Sequence, residues 1–200
     1  MDRHDWDARY AAREDLVWSG EPNATLVAEA GGLPPGRALD LACGEGRSAV
    51  WLASLGWQVA GVDFSREGLR KARALAEARG VSVEWFEADL LEYAPEPGAF
   101  DLVLLLYLQL PADERRVVLA RAAGALAPGG TLLFVAHDLD NLEHGHGGPG
   151  RPEVLSTPEG VVADLSGMAI ERAERIRRRV ALPDGGEAVA IDTLVRARRA

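Results

Sequence analysis

The chain is short of cysteine: Cys43 stands alone among 200 residues, which excludes an intramolecular disulfide framework. It is short of positive charge as well, with 22 Lys and Arg against 31 Asp and Glu and a net charge of -9. Proteins that bind a nucleic-acid backbone neutralise its phosphates with Lys and Arg, so this balance argues against nucleic acid as the main partner. No apolar run approaches membrane-spanning length and no signal peptide opens the chain, so no membrane partner and a cytoplasmic setting are expected. Internal repeats are absent. Aromatic residues make up only 6% of the chain, and against that background Trp6, Tyr10 and Trp18 cluster near its start. What is there, 48% hydrophobic and 26% charged residues, is the composition of an ordinary globular protein of a length that suits one domain.

Residues 1–33 read as one or two short helices, the second opened by Pro22 and stopped at Gly31 and Gly32. After the break at Pro34-Pro35-Gly36, strands at 37–42, 57–62, 81–86, 100–107 and 131–136 alternate with helices at 47–55, 66–79 and 113–126. Ser65 is placed to cap the second of these helices, and Gly56 and Gly80 stop the first two. The run Leu102-Val103-Leu104-Leu105-Leu106 is apolar on both faces, as a central parallel strand must be. Residues 137–152 form a polar, glycine-rich stretch of the kind that is usually a functional loop, and Thr157-Pro158 opens a short helix. Alternating segments at 169–182 and 187–198 flank Pro183-Asp184-Gly185-Gly186, the signature of an antiparallel hairpin. The expected fold is therefore α/β: a single-domain, doubly wound, Rossmann-like sheet, mostly parallel, with a C-terminal antiparallel hairpin. Within it, residues 1–33 are expected to form a helical lid segment, 37–136 the cofactor-binding core, 137–168 a substrate loop and helix, and 169–200 the hairpin. The arginines at 175, 177–179, 196, 198 and 199 read as solvated strand faces.

In open parallel sheets ligands bind beyond the carboxyl ends of the strands, where the strand order reverses. The first strand ends in Asp40 and the turn Cys43-Gly44-Glu45-Gly46, whose glycines permit positive φ and leave room for a ligand to approach the backbone. Asp63 closes the second strand, placed to accept both hydroxyls of a ribose, and Asp89 follows the third, placed to accept from an adenine amino group. Acids in this order describe an adenosine site. The turn also fits the relaxed dinucleotide fingerprint, which keeps a nicotinamide-dependent oxidoreductase as an alternative, together with a noncatalytic adenosine-ligand sensor. Asp40 and Glu45 would repel a pyrophosphate and suit a ligand with a cationic end, which favours S-adenosylmethionine.

The segments LDLACGEGR, VAGVDFS, FEADL, FDLVLLLYLQLP and LAPGGTLLFV resemble, in order, the motifs of class I S-adenosylmethionine-dependent methyltransferases. The resemblance implies a seven-stranded sheet ending in an antiparallel hairpin. It implies that Gly44 and Gly46 pass beside the methionine part, that Asp63 holds the ribose and Asp89 the adenine amino group, and that Phe64 and Leu90 line the adenine pocket. Ala42 and Ser48 stand where the family pattern carries its first and third glycines. Ser65 and Leu106 complete the expected cofactor-side set. The opening Trp6-Asp7-Ala8-Arg9-Tyr10, with Trp18 and Pro22-Asn23, resembles the small-molecule enzymes related to tellurite-resistance and thiopurine methyltransferases.

The reaction so implied is in-line displacement at the sulfonium methyl by a small-molecule acceptor, driven mainly by alignment of the two reactants. A protonated nucleophile would need a base, for which His137, near neutral in its ordinary pKa, and Tyr107 are the candidates, with Gln109 and Asp138 nearby. His144 and His146 read as solvated loop residues, Cys43 as a small packed side chain, and no metal is called for. Trp6, Tyr10 and Trp18 either close over the cleft or pack on the sheet edge. The attacking atom and the oligomeric state stay open.

Overall fold

The apolar run at 102–106 does lie mid-sheet. In the computed structural model, which describes residues 2–182 and 184–200, it forms β4 (Phe100–Leu106), fourth of seven strands. The others are β1 (Arg37–Leu41), β2 (Gln58–Asp63), β3 (Glu84–Glu87), β5 (Leu126–His137), β6 (Met168–Ala181) and β7 (Glu187–Arg199), in the spatial order β3-β2-β1-β4-β5-β7-β6. Pairing is parallel from β3 through β5, and β7 runs antiparallel to both β5 and β6.

Because side chains alternate along a strand, the two-sided apolar pattern of β4 feeds two cores. Val103 and Leu105 join Leu39, Leu41 and Phe134 on one face under α5 (Ala112–Ala125) and α7 (Pro158–Asp164). Leu102 and Leu104 join Ala38, Leu133 and Val135 on the other, under α2 (Ala24–Ala30) and α3 (Arg47–Ser54). The helix α4 (Arg66–Ala78) packs beside α3 and α1 (Arg3–Ala11), and α6 (Asn141–His144) is a single turn.

Helix starts follow the local chemistry of their caps. Ser65 Oγ accepts from the Gly68 N–H at the head of α4, and Thr157 caps α7 ahead of Pro158. At α2 the cap is Asn23, accepting from Thr25 and Leu26, so the helix begins after Pro22 rather than at it. The third strand starts three residues later than its β-branched residues suggest, because Gly80, at φ 65°, first completes the exit from α4. The fifth begins earlier than expected: Pro128-Gly129-Gly130 is a register irregularity within β5 rather than the turn before it. The hairpin of β6 and β7 is present, and Pro183, expected at its turn, lies outside the described residues. The stretch 137–152 is not wholly irregular, since it holds α6. No helix among the described residues is long and apolar enough to cross a membrane.

Candidate active site

The strand order reverses between β1 and β4, and there the chain opens a cavity of about 690 Å³. It is walled by the ends of β1, β2 and β4, by the N-terminal segment, and by residues 146–149 of the loop after β5. Of the residues expected from sequence, Asp40, Ala42, Gly44, Asp63, Phe64, Asp89, Leu90, Leu106, Tyr107 and His137 all line it. Gly46 and Ser65 do not, for reasons of packing. A Cβ on Gly46 would lie 2.6 Å from the Trp85 ring and 2.7 Å from Ala72 Cβ, so this glycine, at φ 77°, lets α3 pack close to β3 and α4. Ser65, fully buried, donates to Asp7 Oδ1 at 2.5 Å while capping α4. The space beside Gly44 is also taken by protein: a Cβ there would lie 2.7 Å from the Tyr10 hydroxyl.

Among the described residues two non-glycine residues adopt positive φ, Ala42 at 61° and Tyr107 at 59°, and they end the two strands that flank the reversal. Such a conformation is sparsely populated for side-chain-bearing residues and persists only where the surroundings hold it. Tyr107 is held at three points. Its N–H donates to Val135 O at 2.7 Å, its hydroxyl donates to Asp192 Oδ2 at 2.8 Å, and the same hydroxyl accepts from Asn23 Nδ2 at 3.1 Å. Burial first, and the Asp192 charge second, push the phenol up to about 12. Burial also works against the charge on Asp192, but the neighbouring His137 and the hydrogen bonds from Arg178 and Tyr107 together bring its carboxyl below the usual range.

His137 completes this cluster. Its Nδ1 lies 3.3 Å from Asp192 Oδ1, off the hydrogen-bond direction, and its ring meets that of Tyr107 at 5.0 Å between centroids. Gly148 packs against the ring, where a Cβ would lie 2.9 Å from the imidazole. Asp138 faces elsewhere: fully buried, it bonds Arg175, Thr193 and the Asp140 N–H. His146 lines the cavity, whereas His144 is exposed.

On the cofactor side, Asp63 accepts from the Gly44 N–H and the Ser65 N–H, both at 2.8 Å, and so fixes the glycine turn to the end of β2. Asp40 is different. It is 2% exposed, its Oδ2 has no hydrogen-bond partner, and burial, reinforced by the nearby Asp63 charge, raises its carboxyl to about 7. Such an orphaned acid at a cavity wall fits an external donor. Glu45, expected to add negative field for a cationic ligand, is instead committed to the protein. Its oxygens accept from the Val17 N–H at 2.8 Å, the Trp18 N–H at 3.1 Å and Lys71 Nζ at 3.2 Å. Cys43 is a buried free thiol whose pKa burial raises well above normal, which suits packing.

Several further side chains at or behind the cavity carry little local signal in the sequence. Asn23 enters the sequence reading only through the resemblance of Pro22-Asn23, Arg47 only follows the turn, and Arg178 and Asp192 come from the hairpin, whose arginines read as solvated although Arg178 is half-buried in the cavity wall. A usable signal existed in the hairpin's alternation, which puts Arg178 and Val180 on one face, and both line the cavity.

A glycine turn at the sheet reversal and acids at three successive strand ends thus share one cavity, as the sequence leads one to expect. Residues 38–130 match the family described as "Methyltransferase domain". Among curated relatives, demethylmenaquinone methyltransferase of Thermus thermophilus is 40% identical over 103 residues, covering 50% of this chain and 47% of that protein. Ribosomal RNA small subunit methyltransferase C of Alcanivorax borkumensis is 34% identical over 108 residues, covering 52% and 33% respectively. The chain thus spans less than half the length of both. A structure solved in work on the conversion of a disulfide bond into a thioacetal group during echinomycin biosynthesis superposes with a TM-score of 0.79 at 25% identity, over 98% of this chain and 92% of that one.

Proposed function

We propose that the protein methylates a small molecule at the expense of S-adenosylmethionine. The observation that carries this reading is the unpartnered, buried Asp40 carboxylate oxygen in a cavity that also gathers Asp63 and Asp89 at the sheet reversal. S-adenosylmethionine, when bound, supplies an electrophilic methyl on a sulfonium. In this chain Asp40 would accept from the cofactor's ammonium, Asp63 would use its remaining lone pairs for ribose hydroxyls, and Asp89 would face the adenine amino group between Phe64 and Leu90. Gly44 and Ala42 would border the methionine part.

On the acceptor side, His137 is the residue that would take a proton from a phenol, alcohol or thiol, with Asp192 beside Nδ1 to stabilise the imidazolium. Tyr107 suits a positioning role: its proton is donated to Asp192, and its raised pKa keeps it there near neutral pH. The small size of the cavity and the negative charge of the chain support a small acceptor over RNA. The resemblance of the N-terminal stretch to tellurite-resistance and thiopurine enzymes points the same way. Calorimetric titration with S-adenosylhomocysteine and with NADH, followed by transfer of labelled methyl to a panel of thiols, phenols, amines, chalcogen oxyanions and a ribosomal RNA fragment, tests the reading. Saturable homocysteine-analogue binding and a labelled small molecule are expected. NADH binding alone, or label in RNA alone, would overturn it.

A further inference from the structure

Two arginines of the cavity are left largely unpaired by the protein. Arg47 and Arg178 both line it, and both are half-buried. Arg178 spends only its Nε, on Asp192 Oδ2 at 2.8 Å, and its guanidinium lies over the Tyr107 ring at 5.6 Å. Its two terminal nitrogens make no contact with an acid among the described residues, and the Tyr107 hydroxyl is its other polar neighbour. Arg47 has no hydrogen bond or ion pair to any described residue. Burial, together with the like charge of Arg178, works against its proton, and Asp40 and Glu45 are the acids that bear on it. Of the two acids, Glu45 is already paired with Lys71, and Asp40 is the one that burial keeps closest to neutral. A half-buried guanidinium with unpaired nitrogens open to a cavity gains from an oxygen partner placed there. Two such groups facing one cavity, with paired donor forks unspent, make a receptor for a planar or tetrahedral oxyanion.

We propose that Arg47 and Arg178 form an anion subsite for the methyl acceptor, so that the acceptor class is a small molecule carrying a carboxylate or comparable oxyanion beside its nucleophilic atom. This rests on the methyltransferase reading and narrows it. Arg178 is tied through Asp192 to Tyr107 and sits on the same cluster as His137, so an anion held there lies next to the candidate base. The alternative source of the anion is the cofactor's own carboxylate, and the test separates the two.

The experiment is calorimetry on the full chain saturated with S-adenosylhomocysteine, using matched anionic and neutral probes: benzoate with benzamide, and mercaptoacetate with mercaptoacetamide. At least one anion is expected to bind about tenfold or more tighter than its amide, the value of one charge-assisted contact. Arg47→Gln and Arg178→Gln are each expected to erase that preference while S-adenosylhomocysteine affinity changes less than about threefold. Equal binding within both pairs, or no binding by any probe, overturns the proposal. So does a preference that survives both substitutions. A large loss of S-adenosylhomocysteine affinity in Arg47→Gln with the preference intact assigns Arg47 to the cofactor and also overturns it. Failure of the unsubstituted protein to bind S-adenosylhomocysteine defeats the methyltransferase reading instead, and the same probe pairs on the unliganded protein then decide whether the anion subsite exists. Circular dichroism of both variants controls for folding.

Discussion

With its Oδ2 unpartnered and its carboxyl raised to about 7, Asp40 sets cofactor affinity against stability. An acid raised in the folded state binds its proton more tightly folded than unfolded. Stability is therefore lost as pH climbs from the ordinary value of 3.8 toward 7, the reverse of a salt-bridged acid. Asp40→Asn removes this term. Between pH 5 and pH 8 the variant should lose on the order of 3 kcal/mol less stability than the parent protein, at about 1.4 kcal/mol per pKa unit. Urea unfolding at the two pH values measures the difference, and parallel pH profiles would return Asp40 to ordinary acidity. The same variant should bind S-adenosylhomocysteine about tenfold or more weakly at pH 8, and lose less at pH 6, where the parent carboxyl is itself largely protonated. Ala42 offers a second test at this scale. At φ 61° its Cβ is strained, so Ala42→Gly relieves a cost of about 1 kcal/mol, offset in part by the extra freedom glycine gives the unfolded chain. The expected result is a neutral or slightly stabilised protein with cofactor affinity kept. A clear destabilisation would mean that the Ala42 methyl packs more than it strains.

Among elements, the N-terminal segment is held to the glycine turn by one carboxylate. Glu45 receives the backbone N–H groups of Val17 and Trp18, and Lys71 of α4, the only lysine in the chain, joins Glu45 to the Asp15 carbonyl at 2.6 Å. Both side chains of this pair are 3% exposed. Arg9 lies over the rings of Trp6 and Trp18, at 5.3 Å and 4.9 Å, which knits α1 to the same segment. Removing one partner of a buried pair leaves the other desolvated and typically costs about 3–5 kcal/mol, more than the pair contributes over apolar residues. Lys71→Met should therefore destabilise by about 3 kcal/mol and expose residues 10–20 to limited proteolysis. Glu45→Gln with Lys71→Met should cost less than the sum of the single changes, because no charge is then stranded. Additive losses, or an unchanged cleavage pattern, would show that the aromatic stack alone retains the segment. Nothing local in the sequence announces this tie: residues 45 and 71 lie a full strand apart, and Glu45 reads as a free acid until α4 is folded against the turn.

Across the whole molecule, alternation and glycine position made the sheet legible. The two-faced run of β4, the acid at the end of each early strand and the hairpin at the C-terminus all follow from local pattern, and with them the part of the cavity wall formed by the ends of β1 and β2. The cluster around Tyr107 is built from residues far apart in the chain: Asn23, Tyr107, His137, Arg178 and Asp192 meet only because β7 inserts antiparallel beside β5. No spacing rule joins them, and the positive φ of Tyr107 is imposed by that meeting. A ligand in this cavity would touch β1, β2, β4, the N-terminal segment and the loop after β5 together, so its binding energy should appear as global stability. Ligand that binds only the folded state adds about 2.7 kcal/mol at a hundredfold excess over its dissociation constant. For a domain near 200 residues, each kcal/mol moves the melting temperature by about 2–4 °C. S-adenosylhomocysteine at that excess should raise Tm by roughly 5–10 °C in a single cooperative transition, and NADH at equal concentration should leave it unmoved. Asp63→Ala should abolish the S-adenosylhomocysteine shift. It also removes the carboxylate that ties the Gly44 and Ser65 N–H groups, so its unliganded Tm must be read alongside. A variant that melts lower yet keeps the full ligand shift would confine Asp63 to holding the turn and take the ribose contact from it.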